Sequence, residues 1–594
     1  MLCTSRVPNS ALFRARFLPL LLFLGVTSAV AQPETYLDLL TVQDGDGILQ
    51  RIYGATGTGQ YGVPVASGFD VDGDQIPDSA VAFMTASPNG EFRSGEVDLV
   101  FGTGLLDGSV ETSMDGAGFL RIFGDDEQET AGSEIWMDDV TGDGIGDLLV
   151  CRQNYTLGRR IGAGALTILP GGPHLRTLAK SRTALQLASA PASVRETTIV
   201  GADVGDRFCI WTRTGDIDGD GTADLVVGAD QEAGPASLHR GAVWVIRGGS
   251  HLDDGGLIDL ADFGTIFDDL SGDIAHVIPP GNASHLHAGA TCSIGDLDGD
   301  GRGEVIFAST LSRAGAILGP VDPLNLVDTH SSGGTARGTL YIAWDDLFPP
   351  TPWSLGYELT VPSTPHPDFT VLDGEAINDK FGEEIVAGHD LDGDGDPDLV
   401  VGDLLGDPDG RSNAGIGHVI FDPHLLRGTV SAVSSPPAGV TVSRVWGPTA
   451  SDIGADTAAL GDFDGDGISD LLFSSPHASP QGRFQAGQAH LLFGQVGAWP
   501  PVIDLANLPS PATFRVAQID GKEEDDVLCY SAAAGDLDGD GRIDLAINEM
   551  RGDAPGANGV GNLLLVSGRT FDPTHVFSNG FETGDTTYWS ATVP

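Results

Sequence analysis

Asp390-Leu391-Asp392-Gly393-Asp394-Gly395-Asp396-Pro397-Asp398 is the cleanest of seven copies of one nine-residue pattern, and its spacing decides how the whole chain reads. Acidic side chains stand at positions 1, 3, 5 and 9, with Gly at position 4 and usually at position 6. Glycine accepts positive φ, so the backbone can fold back and bring four carboxylates onto one hard cation. Calcium is the expected ion. The other copies supply the same set: Asp70, Asp72, Asp74 and Asp78; Asp139, Thr141, Asp143 and Asp147; Asp216, Asp218, Asp220 and Asp224; Asp296, Asp298, Asp300 and Glu304; Asp462, Asp464, Asp466 and Asp470; and Asp536, Asp538, Asp540 and Asp544. Thr141 removes one charge from the second copy.

Position 7 of such a loop is expected to give only its backbone carbonyl. It holds Ile76, Ile145, Thr222, Arg302, Asp396, Ile468 and Arg542, a mixture that a side-chain ligand site would not tolerate. Position 2 is apolar throughout, with Val71, Val140, Ile217, Leu297, Leu391, Phe463 and Leu537, as for a side chain turned into a core. Four carboxylates at close quarters repel one another unless a cation lies between them. Up to seven structural Ca2+ sites are therefore expected.

The repeat is longer than the loop. First ligands recur at 70, 139, 216, 296, 390, 462 and 536, and each interval carries the same order of parts. A short strand ending in Gly, such as Phe119 to Gly124, precedes a pair such as Tyr61-Gly62 or Phe381-Gly382. A second apolar stretch leads into the loop, a third strand such as Leu399-Val400-Val401 follows it, and a fourth opens on Gly, as in Gly241 to Ile246. Four short strands per unit and seven units predict an all-β fold, a seven-bladed β-propeller with four strands per blade over residues 36–570. An EF-hand is excluded, because position 12 holds Val81, Val150, Val227, Phe307, Val401, Phe473 and Ile547 where that motif needs Glu between two helices.

These motifs resemble the FG-GAP repeat, and the chain is similar to the seven-bladed propeller at the amino terminus of integrin α subunits. The pairs Phe381-Gly382 and Gly228-Ala229 carry the likeness, and Phe208-Cys209, Leu528-Cys529 and Ala131-Gly132 depart from it. The resemblance implies structural calcium on one face of the propeller and ligand docking on the opposite face. In integrins only some blades carry the loop, whereas here all seven do.

The rest of the chain bears on compartment and partners. Residues 1–31 read as a secretory signal peptide, with Arg6, Arg14 and Arg16 before the apolar run Phe17 to Val26 and a small-residue site at Ala29-Val30-Ala31. Secretion or cell-surface display follows as an expectation, and no later stretch is apolar enough for a membrane helix. Lys+Arg 30 against Asp+Glu 84, a formal net charge of −54, argues against nucleic acid and anionic membranes as partners. Cys151, Cys209, Cys292 and Cys529 are expected as small core residues, with their disulfide state open. The insert from Gly315 to Pro367, with Trp344, Trp353 and Tyr357, reads equally as a contact loop or as packing over the rim. Leu175 to Arg195 is a second, polar insert. Arg551-Gly552-Asp553 is read as a chance tripeptide, and His285 and His287 as loop histidines. Residues 571–594 form a distinct tail suited to sorting or surface recognition.

No HExxH, G-x-S-x-G or phosphate-cradling motif is present, and no catalytic residue is nominated. The expected function is an exported, calcium-binding module that binds an extracellular protein or glycan, as in adhesion, and a monomer is expected. The alternative is an extracellular hydrolase or lyase whose site lies in the central channel, since fold does not determine function.

Overall fold

The computed structural model describes residues 35–572 except 43–48, 55–60, 104–108, 112–117, 182–183, 188, 233–239, 266–269, 271, 280–286, 311–336, 355, 363 and 377. The signal-like segment, His285 and all of the tail beyond Asp572 lie outside the described residues.

The strands form seven five-stranded sheets, one per blade. Blade 5 shows the pattern. Its inner strand Phe381–His389 pairs antiparallel with Asp398–Asp403, which pairs with Ile416–Phe421 and then with Thr441–Trp446. The acidic loop joins the first two. The second strand is buried along its whole length between neighbouring blades. That is why Leu399-Val400-Val401 reads as a continuous apolar run with no polar alternation.

A fifth strand, which the sequence pattern does not announce, completes each sheet in parallel and belongs to the next blade. Val502–Asp504 lies between the third and fourth strands of blade 6 yet pairs with Thr441–Trp446 of blade 5. Leu185–Gln186, Gly256–Asp259, Tyr357–Thr360 and Val430–Ala432 do the same for blades 1 to 4. The ring closes by the same rule. Leu49–Tyr53 is the fourth strand of blade 7, antiparallel to Asn562–Val566, and Thr35–Asp38 is the fifth strand of blade 6, parallel to Val516–Asp520. Arg51 and Glu549, both buried, form an ion pair across the closure.

The residue at the glycine of each Phe-Gly pair is left-handed in all seven blades: Gly62, Gly132, Cys209, Gly289, Gly382, Ala455 and Cys529, with φ between 61° and 94°. A Cβ on Gly382 would come within 2.4 Å of the Ala308 Cβ in the preceding blade, so this position is where blades touch. Blade 3 turns that contact into a covalent bond. Cys209 is disulfide-bonded to Cys151 of blade 2, with Cα atoms 5.3 Å apart. All four cysteines are buried core residues, as expected; of the disulfide state left open, Cys292 and Cys529 are free and Cys151 and Cys209 are bonded. The legible signal was that Cys209 holds the glycine position of its pair while Cys151 stands four residues past the last ligand of the preceding loop.

Core packing lies between adjacent blades. Leu297, Ile306 and Leu340 of blade 4 meet Phe381, Ile385, Leu399 and Val401 of blade 5. All seven position-2 residues are buried, as expected. Within the described part of the large insert, Trp344 and Trp353 are buried and Tyr357 opens a fifth strand, so this part packs on the rim. Among the described residues no helix is long and apolar enough to cross a membrane.

Candidate functional site

Each acidic loop is a knot of carboxylates accepting backbone N–H groups. In blade 5, Asp390 accepts from Gly393 at 2.7 Å and Gly395 at 3.0 Å, Asp394 accepts from Asp396 at 2.9 Å, and Asp398 accepts from Leu391 at 2.8 Å. Loop 3 repeats this with Asp216, Asp220 and Asp224. Oxygens of Asp70, Asp72 and Asp78 lie within 4.8 Å of one another, as do those of Asp216, Asp218 and Asp224 and of Asp296, Asp298 and Asp300.

The position-9 acids are buried, and burial is the main reason their pKa values rise. Asp78, Asp147 and Asp224 reach about 7, Asp398 and Asp470 about 8, Glu304 about 9 and Asp544 about 6. Nearby loop carboxylates push the same way, and the donated backbone N–H groups oppose them. A donor set of oxygens that resists ionising on its own suits a hard divalent cation, which would restore the charged form.

The loops also hold one another. The position-8 N–H of one loop donates to the position-1 carbonyl of the loop before it: Gly146 to Asp70 at 2.9 Å, Gly303 to Asp216 at 2.7 Å, Ser469 to Asp390 at 3.0 Å. Ile145, Thr222, Arg302, Ile468 and Arg542, all at position 7, lie over the position-4 glycines of the preceding loops. Position 7 thus varies with its neighbour, a second reason for its mixed composition. Arginines add to the belt. Arg176 pairs with Asp72 and Asp74, Arg247 with Asp218 at 3.0 Å, Arg515 with Asp464 and Arg569 with Asp540.

The inner strands of all seven blades line a central channel of about 570 Å3. On one side the Arg213 guanidinium lies 4.2 Å from the Trp136 ring and 4.6 Å from the Trp211 ring. Its Nη1 donates to Glu134 Oε1 at 2.7 Å, while Trp136 Nε1 donates to Thr214 Oγ1 at 2.8 Å. Glu383, Glu384 and Asp456 also line the channel, and the buried Glu383 Oε2 has no hydrogen-bond partner among the described residues. Acidic groups outside the loops thus do gather in one place, which the sequence reading missed. The signal was Glu383-Glu384 directly after Phe381-Gly382, with Glu134 and Asp456 at the same two positions of blades 2 and 6. His287 is buried and bonded to Gln231 at 2.7 Å, with no role in the channel.

A closed ring of seven five-stranded sheets defines a seven-bladed β-propeller. The FG-GAP repeat family matches residues 211–246, 381–420 and 454–492, so this seven-bladed propeller carries FG-GAP repeats, in keeping with its integrin-like motifs. No curated protein matches the chain. Among solved structures it is similar to an exotype rhamnogalacturonan lyase, YesX, at 14% identity and TM-score 0.36, covering 87% of this chain and 76% of that one. It is also similar to the NanB sialidase from Streptococcus pneumoniae, at 10% identity and TM-score 0.33, covering 91% and 71%. The V. cholerae biofilm matrix protein Bap1 follows at 12% identity and TM-score 0.22, covering 86% and 77%. At these scores nothing is carried from them to this chain.

Proposed function

We propose that the protein is an exported, calcium-stabilised binding module that seats an extracellular glycan or protein in its central channel. The observation that carries this reading is the stack of Trp136, Arg213 and Trp211, fixed by Glu134 in a channel of ligand-sized volume. Aromatic faces beside a held guanidinium and the Glu383 carboxylate combine apolar contact with directed polar contact. Calcium at the seven loops would stiffen the end of the ring from which the inner strands hang. A panel of soluble polysaccharides and matrix proteins tests this with Trp136→Ala and Trp211→Ala. Binding should be lost while bound calcium is unchanged; binding that survives both substitutions overturns the channel as the seat.

A second reading rests on Glu134, Glu383, Glu384 and Asp456 lining the same channel. Hydrolysis of a glycosidic bond uses two carboxylates in complementary roles. An extracellular hydrolase or lyase would release reducing ends or unsaturated products from such polysaccharides. Glu383→Gln and Asp456→Asn should abolish that release, and no release by the unaltered protein removes this reading.

A further inference from the structure

The seven loops are not equivalent. In five blades the position-9 carboxylate accepts a second backbone N–H, from a glycine just past the third strand: Gly102 on Asp78 at 2.7 Å, Gly171 on Asp147 at 2.9 Å, and Gly248 on Asp224, Gly494 on Asp470 and Gly568 on Asp544, each at 2.8 Å. Sheet register identifies the matching residue in the other two blades. Leu225 pairs with Ile246 two residues before Gly248, so Val305 with Ala343 and Leu399 with Ile420 point to Asp345 and Asp422. A Cβ on any of the five glycines would come within 2.1 to 2.3 Å of the position-8 carbonyl. An aspartate fits there only if the backbone withdraws, and its N–H withdraws with it. Among the described residues, Glu304 accepts a backbone N–H only from Leu297, at 2.6 Å, and Asp398 only from Leu391, at 2.8 Å.

A carboxylate stands in place of the lost donor. Asp298, Glu304 and Asp345 bring oxygens within 4.8 Å of one another, and carboxylate oxygens of Asp422 and Asp396 lie as close to one another and to a ring nitrogen of His424. Glu304 is fully buried, and its Oε1 has no hydrogen-bond partner among the described residues. The same holds for the buried Oδ1 atoms of Asp298 and Asp392, and for no buried ligand carboxylate of the other five loops. On the loop acids themselves, loops 1, 3, 6 and 7 have a close ion pair, whereas Arg427 reaches Asp298 only at 3.4 Å and Arg302 pairs with Asp345 instead.

Building on the calcium reading above, we infer that Asp345 and Asp422 are additional cation ligands that make the loops of blades 4 and 5 tight sites and leave the other five weaker. Ligand number and charge tune affinity at such loops, and each of these two brings one more carboxylate to its loop. Asp345 is held in place by Arg302, the position-7 residue of its own loop.

Native mass spectrometry of the full chain across a chelator series counts the ions. Two Ca2+ should outlast the rest. Asp345→Asn and Asp422→Asn should each cost one of the retained ions, with affinity at that loop falling at least tenfold, the scale that even outer partners of a metal show. Asp218→Asn should leave both retained. Terbium luminescence supplies a check that needs no chelation, because Trp499 Nε1 donates to the Leu391 carbonyl inside loop 5 at 2.9 Å, and the signal lost in Trp499→Phe is separated from that of Trp344 beside Asp345. The midpoint of its Trp-sensitised signal should move at least tenfold in Asp422→Asn. Seven ions leaving in one step, or two ions surviving the double substitution, overturns the inference and leaves the calcium reading standing. No bound calcium in the unaltered protein overturns both.

Discussion

The two ends of the inner strands follow opposite rules. At one end sits a loop repeated almost letter for letter seven times. Along the channel no two blades agree: after the left-handed residue come Val63-Pro64, Ser133-Glu134, Ile210-Trp211, Ala290-Thr291, Glu383-Glu384, Asp456-Thr457 and Tyr530-Ser531. A position repeated in every blade serves what every blade needs, which is the ring. A position that differs in every blade can recognise an object without sevenfold symmetry. Sequence repetition therefore separates the groups that hold the propeller together from those available to a ligand.

Removing calcium should have the largest effect on this contrast. Each site contributes about 2.7 kcal/mol when free calcium is a hundredfold above its Kd, so chelation should lower Tm strongly in calorimetry. An unchanged Tm would erase the distinction between a structural rim and a recognising channel. Next comes Arg51→Ala, which strands the buried Glu549 at the ring closure. Loss of about 3–5 kcal/mol in denaturant unfolding is expected. Replacing both Cys151 and Cys209 by Ser should cost about 2–4 kcal/mol, and thiol titration of the unfolded, unreduced protein lacking residues 1–31 should find only two free thiols.

A smaller effect is the pH response of the metal-free protein. The position-9 acids keep in the fold a proton that the unfolded chain sheds near pH 4, with folded values of about 7 for Asp224 and about 8 for Asp398. Their contribution to stability is full below about pH 4, declines as pH rises and is gone above about pH 9, the folded value of Glu304. Saturating calcium should remove this decline, which urea titrations at pH 5.5 and 8 would show. The smallest stability change belongs to Glu383→Gln in the channel, within about 0.5 kcal/mol, with ligand binding altered. A large loss of stability there would mean the channel is structural too.

The blade order and the loops are legible in the sequence because their spacing is local: the four ligand positions of a loop fall within nine residues. What is not legible depends on residues far apart in the chain. The fifth strands are as short as Leu185–Gln186 and pair across a blade boundary, so no periodicity marks them. Cys151 and Cys209 are 58 residues apart and meet only because successive blades stack at the left-handed position. Trp136, Trp211 and Arg213 look like ordinary strand residues until the ring sets blades 2 and 3 side by side. Asp345 is hidden by the long insertion ahead of it, although Asp422 keeps the 24-residue spacing from its position-9 acid that the glycines keep.

The closure strands also set a schedule. Thr35 pairs with Ala517 and Leu49 with Val566, so the first β-segments to leave the ribosome have partners that are made last. At roughly 5–20 residues per second that interval is about 25–100 s. Until the clasp can shut, these two strands are naked sheet edges, the feature most prone to pairing with the wrong chain. The newborn protein therefore has a vulnerable period fixed by its topology, and a chain that terminates before residue 562 never leaves it.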